Sequence, residues 1–256
     1  MPHPVVRLRV HIAAVGFQIR RVVEPARDLR ADAMVLFTHS PTDRLRYELE
    51  KIKELLESST PRIRTHVVTC DIWDPAAVVD EIGAIVSAAP QHEYFFNVSS
   101  GAKTACIAGT IAGMFWDVKP YYVAVDYDGK TAFGEEDYPV RGSPQFVPTF
   151  GIPLLDLASV TALQFLSSQP RPVSKRELIR HLEERALIGP RQSKPVSPQA
   201  LQAQANTVLH HLDSWGFIST SGRGKQLRIS ATDRGRWGNR MFQHQLSPRP
   251  RLALLS

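Results

Sequence analysis

The sequence predicts an α/β protein in two parts, a doubly wound, mostly parallel sheet followed by a smaller α+β domain closing on a β-hairpin. Three observations carry this. Over the first half, short β-branched runs alternate with helix-period segments, the pattern of repeated βα units. After residue 216 the hydrophobic period changes from helical to two. The charge also changes sign: residues 1–150 carry 16 Lys and Arg against 19 Asp and Glu, a net −3, whereas residues 151–256 carry 15 against 6, a net +9.

Strands are predicted at Leu8–Ala13, Ala33–Thr38, Ile63–Val68, Tyr94–Val98 and Tyr121–Val125. Between them Ile19–Leu29, Thr42–Glu57, Pro75–Ala88 and Thr104–Trp116 are each long enough to cross back over a sheet, giving five strands and four helices. In the second helix Leu45, Leu49, Ile52 and Leu56 recur at helical spacing and are assigned to the core. From Asp126 to Pro153 the pattern dissolves into Asp-Gly, Gly-Glu-Glu and prolines, which reads as a linker between a domain of residues 1–145 and one of residues 152–256.

In the second domain Leu154–Ser167 reads as a helix, Ser174-Lys175-Arg176-Glu177 as a capping box opening another, and Ser197-Pro198 as the start of a third. Phe217–Thr220 and Gln226–Ser230 then flank Ser221-Gly222-Arg223-Gly224-Lys225 as a hairpin, and an amphipathic segment, Thr232–Gln245, follows. Three helices and a hairpin with a basic tip give the element order of a winged helix-turn-helix. Leu201, Ala205, Val208, Leu209, Leu212 and Trp215 share one face of the third helix and are core. The opposite face offers Gln199, Gln202, Ala203, Asn206 and His210, with no acidic residue in its first turns.

Amide side chains place a donor beside an acceptor, which matches the major-groove edge of adenine, so this face suits base readout. Arg223, Lys225 and Arg228 on the wing suit phosphate contact. Double-stranded DNA is therefore the expected partner. The +9 excess agrees with a polyanion partner. A solvated polar face, or a winged helix that docks protein, is the alternative.

In an open parallel sheet ligands bind beyond the carboxyl ends of the strands. The loops there are Val15-Gly16-Phe17-Gln18 after the first strand, Thr38-His39-Ser40 after the second, and Asn97-Val98-Ser99-Ser100-Gly101-Ala102-Lys103 after the fourth. In the last, small residues let the backbone approach an anion, helix amides point at it, and Lys103 adds a charge where a helix N-terminus disfavours one without an anion.

No Gly-x-Gly-x-x-Gly follows the first strand, and no P-loop or Gly-x-Ser-x-Gly elbow occurs. His39 is chemically able to act as an acid or base, but a hydrogen-bond donor role fits it better. No catalytic residue, cofactor or metal site is assigned. Cys70 and Cys106 lack metal or redox spacing and are expected as buried thiols. No apolar run reaches a bilayer-spanning length, and no secretory signal is apparent, so a cytoplasmic location is expected.

The segments His11-Ile12-Ala13-Ala14-Val15-Gly16-Phe17, Arg21-Val22-Val23-Glu24-Pro25 and Asn97-Val98-Ser99-Ser100-Gly101-Ala102-Lys103 resemble those of CARF domains, the CRISPR-associated Rossmann folds. The likeness is greatest to archaeal regulators that fuse a CARF domain to a winged helix, and it covers nearly the whole chain. The resemblance implies a Rossmann-like sensing domain and a homodimer. Its two-fold pocket would take a cyclic oligoadenylate made by type III CRISPR complexes, cyclic tetra-adenylate first among them, and control transcription in antiviral defence. Asn97, Ser99, Gly101 and Lys103 match the family loop Asn-x-Thr/Ser-Gly-Gly-Thr-Lys, whereas Ser100 replaces its first glycine and Ala102 its threonine. The missing hydroxyl argues against ring cleavage. A metal-independent ring nuclease is the alternative function.

Overall fold

The structure is a computed structural model that describes residues 7–40, 43–126, 138–152, 155–189 and 197–245. The chain divides between residues 153 and 154 into two compact units.

The first unit runs β1 (Arg9–Ala14), α1 (Arg20–Asp28), β2 (Ala33–Thr38), α2 (Asp43–Glu57), β3 (Arg64–Thr69), α3 (Pro75–Ala88), β4 (Glu93–Asn97), α4 (Lys103–Trp116), β5 (Lys119–Val125) and β6 (Val140–Phe146). Its sheet has the order β3-β2-β1-β4-β5-β6. Every pairing is parallel except β5 with β6. This is the doubly wound, mostly parallel sheet the sequence predicts. Successive crossovers run outward from β1 in one direction and from β4 in the other, so the switch point lies between those two strands.

Local chemistry sets the element boundaries. All six residues of β2 are buried, so its sequence is continuously apolar rather than alternating. Asp74 caps α3 by accepting from the Ala76 amide at 2.9 Å, with Pro75 at the first helical position. In α1, Pro25 has no N–H to offer the carbonyl of Arg21, four residues earlier. The Asn97 amide fills that place, donating to the Arg21 carbonyl at 2.7 Å from the end of β4.

Two corrections follow. The segment read as a linker contains β6, so the sheet has six strands rather than five, and the first unit extends past residue 145. The rest of that segment, residues 127–137 and 153, lies outside the described residues. The second concerns the α2 stripe: Leu49, Ile52 and Leu56 are core, but Leu45 is only half-buried.

The second unit runs α5 (Leu157–Ser168), β7 (Val173–Ser174), α6 (Lys175–Glu183), α7 (Pro198–Ser214), β8 (Ile218–Ser221), β9 (Arg228–Ala231) and α8 (Asp233–Phe242). Its sheet has the order β7-β9-β8, all antiparallel, which makes the unit a winged helix. The capping box is present: Ser174 accepts from the Glu177 amide at 3.2 Å, and Glu177 accepts from the Ser174 amide at 2.8 Å. Thr232 accepts from the Gly235 amide at 3.0 Å and donates to the Gly216 carbonyl at 2.8 Å. A Cβ at Gly235 would lie 2.0 Å from the Phe217 carbonyl oxygen, so the Thr-x-x-Gly sequence both caps α8 and admits the hairpin backbone. The wing connection is one residue longer than predicted, residues 222–227, with a 3₁₀ turn at Gly224–Gln226 and the strands shifted by one or two residues.

Candidate functional sites

A crevice of about 550 Å³ opens at the carboxyl ends of β1 and β4, at the switch point. Val15, Gly16, Phe17 and Gln18 line one side, and Ser99, Ser100, Gly101 and Ala102 line another. The two loops meet closely. A Cβ on Gly16 would stand 2.7 Å from the Gly101 nitrogen, and one on Gly101, whose φ is +78°, would stand 2.4 Å from the Ala14 Cβ. Neither loop has room for a side chain at these two positions, so backbone meets backbone there.

Serine hydroxyls shape this loop instead of capping its helix. Ser99 accepts from the Val123 amide, and Ser100 donates to the Ala14 carbonyl at 3.0 Å. Asn97 is fully buried and accepts from the Ser99 amide at 2.9 Å. The N-cap of α4 is Ala102, and no side chain caps it. The first amides of a helix have no partner within it, and together with the dipole they form a site for an anion.

Other expected residues stand elsewhere. Thr38 is buried, with its hydroxyl donating to the Ser40 carbonyl at 3.4 Å, and Ser40 is exposed. Lys103 is exposed at the first position of α4. Neither these three nor Asn97 and His39 line the crevice.

Four lining residues were not among the expected ones: Arg21, Leu45, Ile72 and Trp73. Arg21, only 9% exposed, donates from Nε and Nη2 to the Val123 carbonyl at 3.1 and 2.6 Å, and from Nη1 to Gln18 Oε1 at 3.3 Å. Its carbon Cζ lies 5.3 Å from the centre of the Tyr122 ring. All of these partners are neutral. A buried cation with neutral partners is costly unless an anion joins it. Both missed signals are in the sequence: Arg21, like Lys103, is a cation in the first turn of a helix, and Trp73 follows β3, whose carboxyl end belongs to the same edge of the sheet.

His39 packs edge-on against Trp73, with ring centroids 4.4 Å apart, and its Nδ1 lies 3.5 Å from Asp71 Oδ1. Elsewhere in the sheet His11 is fully buried, its Nδ1 3.2 Å from the Tyr121 hydroxyl and its ring stacked on Phe95. Burial, assisted by the Arg9 charge and opposed by Glu93, holds its pKa down to about 3, so the ring is neutral. Cys70 and Cys106 are both free thiols, the first buried and the second half-buried, and burial pushes Cys70 up to about 12. Among the described residues no group of three metal-ligating side chains occurs, and no helix is long and apolar enough to cross a membrane.

In the second unit Gln199, Gln202, Ala203, Asn206 and His210 are all exposed on α7, while Ala205, Val208, Leu209 and Leu212 are buried and Leu201 and Trp215 half-buried. Arg223 and Arg228 are exposed on the hairpin; the side chain of Lys225 lies outside the described residues. Lys175 of α6 donates to Asn206 Oδ1 at 2.6 Å. This lysine joins the α7 face, and reading Ser174–Glu177 only as a cap concealed it.

The two units thus define a Rossmann-like domain with a crevice at its switch point, followed by a winged helix. Residues 9–127 match a family described as HFX_2341_N-like, N-terminal, and residues 158–243 match the DUF6293 C-terminal winged helix domain. The two matches fall one in each unit, in that order along the chain.

The uncharacterized protein MJ1513 of Methanocaldococcus jannaschii is 27% identical over 128 residues, which span 46% of this chain and 38% of that relative's length. Can2 from Sulfobacillus thermosulfidooxidans, in complex with cyclic tetra-adenylate, aligns at 13% identity and a TM-score of 0.38, covering 93% of this chain and 66% of that one. Enterococcus italicus Csm6, bound to cyclic hexa-2′-fluoro-hexa-dAMP, aligns at 13% identity and 0.35, over 82% and 55%. Protein VC1899 from Vibrio cholerae aligns at 12% identity and 0.35, over 88% and 76%.

Proposed function

We propose that the protein is a ligand-responsive transcriptional regulator. Its first domain senses a nucleotide second messenger of the cyclic oligoadenylate class, with cyclic tetra-adenylate the first candidate, and its winged helix binds double-stranded DNA as part of CRISPR-linked defence. It acts as a homodimer, so that two crevices serve one ring and two winged helices serve one operator. The observation that carries this reading is the presence in one chain of a crevice beside the uncapped N-terminus of α4 and an exposed, amide-bearing α7 in a winged helix.

Sensing is favoured over cleavage. Ala102 brings no hydroxyl to the loop, and the hydroxyls of Ser99 and Ser100 are engaged with the Val123 amide and the Ala14 carbonyl. Calorimetry of the full chain against cyclic tetra-adenylate and cyclic hexa-adenylate tests the ligand class. Saturable heat with at least one ring, at one ring per dimer, is expected. No heat with either refutes the assignment.

A further inference from the structure

Trp73 is the feature of the crevice that a site for a bare anion would not need. Phosphate is held by amides and cations; an indole can add its single N–H, but its broad π face offers an anion nothing. Tyr47, Tyr122, Phe146 and Phe150 of the same unit are also exposed, but none of them lines the crevice, which Trp73 does with 57% of its surface exposed.

Its position is built from three sides. Asp71 Oδ1 accepts from the Trp73 backbone amide at 3.1 Å and faces His39 Nδ1 at 3.5 Å. The His39 ring braces the indole edge-on. The Thr104 hydroxyl donates to the Ile72 carbonyl at 2.8 Å, tying the loop that carries Trp73 to the first turn of α4. An aromatic surface is therefore fixed beside the uncapped first turn of α4. The same crevice is lined by Arg21; its hydrogen bonds to Val123 and Gln18 leave one N–H on each of Nη1 and Nη2 for two oxygens of a phosphate, and it has no charged partner among the described residues.

We infer that Trp73 is a base-stacking platform and Arg21 a phosphodiester clamp. The ligand is then a nucleotide whose base is free to stack, rather than an inorganic or sugar phosphate. Every base presents a π face, and purines present the larger one, so an exposed indole in the same crevice as a phosphate clamp selects for a ligand that carries both groups. The inference rests on the proposed crevice function but names which group of the ligand each residue meets.

The test uses the full chain and four probes: cyclic tetra-adenylate, adenylyl-(3′→5′)-adenosine, ribose 5-phosphate and adenosine. Trp73 emission, taken as the difference between wild type and Trp73→Phe, should be quenched by both adenylate probes and left unchanged by ribose 5-phosphate. Trp73→Ala should weaken both adenylates roughly tenfold to a hundredfold, about 1.4 to 2.8 kcal/mol, and leave ribose 5-phosphate within about twofold. Trp73→Phe should recover most of the loss. Arg21→Lys keeps the charge and loses the fork, so it should weaken every phosphorylated probe and spare adenosine.

Because Arg21 also holds the Val123 carbonyl, circular dichroism must confirm that variant's fold; the Trp73 arms stand without it. Unchanged adenylate affinity in Trp73→Ala overturns the inference while leaving cyclic oligoadenylate binding intact. If adenylyl-adenosine binds and quenches while cyclic tetra-adenylate does not bind, the inference stands and that cyclic ligand falls. Silence with all four probes overturns both.

Discussion

Replacing Gly101 with alanine tests whether the crevice depends on backbone meeting backbone. At φ +78° an L-residue pays roughly 1–2 kcal/mol for the left-handed conformation. The new methyl would also lie 2.4 Å from the Ala14 Cβ and 2.8 Å from the Ala14 carbonyl oxygen. Ala14 ends β1, a central strand paired on both sides, so the loop rather than the strand must yield, at a further cost of about 1–3 kcal/mol. The total is roughly 2–5 kcal/mol, and the displaced loop should also lose ligand.

Two other glycines separate the contributions. Gly142 has φ +71° with nothing within 4 Å, so alanine there should cost only the conformational part, about 1–2 kcal/mol. Gly151 has neither constraint, and alanine there should be neutral or stabilising by up to about 1 kcal/mol. Urea unfolding at constant m reads all three. A loss below about 0.5 kcal/mol for Gly101→Ala, or an equal loss at Gly151, would refute the close-approach argument.

Other perturbations report on different parts of the protein. His11 is neutral in the fold with its pKa down to about 3 and returns to its ordinary value on unfolding. The unfolded chain therefore binds the extra proton between those values, and stability should fall by about 1.4 kcal/mol per pH unit as pH drops below about 6.5. His11→Phe should flatten the acid slope by one proton, and an unchanged slope between about pH 6 and 4 contradicts the assignment. Lys103→Glu puts an anion at the first position of α4 and should abolish binding of cyclic tetra-adenylate with the fold intact. Wild-type affinity in that variant would move the phosphate site away from this helix end. Arg223→Ala should weaken all DNA sequences and flatten the salt slope by about one unit, whereas Asn206→Ala should cost about 1–3 kcal/mol on the true operator only. Equal losses on specific and random DNA from both variants would remove α7 as the reading helix.

How far the sequence was legible depended on which force fixed each feature. The βα units and the capping box are written locally, in apolar period and in Ser174 and Glu177, and both formed as predicted. Strand β6 is not. Its residues Arg141, Gly142, Ser143 and Gln145 are exposed, and Pro144 has no donor to give, which only an edge strand tolerates. Pairing with β5, a nonlocal contact, creates that strand. In the crevice, the loops after β1 and β4 were found because glycine and a misplaced cation mark them. Asn97 is read as a ligand contact by its match to the family loop; the fold also gives it a structural task, satisfying the carbonyl that Pro25 leaves open, which no local pattern announces. Leu45, Arg21 and Trp73 reach the crevice from α2, α1 and the loop after β3, and only the folded sheet shows that these come together.

The central claim is that occupancy of the first domain alters the hold of the second on DNA. Fluorescence anisotropy with DNA from the promoter upstream of the protein's own gene, at one fixed salt concentration, measures it directly. Titrations without ring and with saturating cyclic tetra-adenylate should give dissociation constants that differ by roughly 5- to 150-fold, the usual range of allosteric coupling. The same factor must appear in the affinity for the ring when DNA is present. Identical DNA affinities with the ring demonstrably bound would contradict the account.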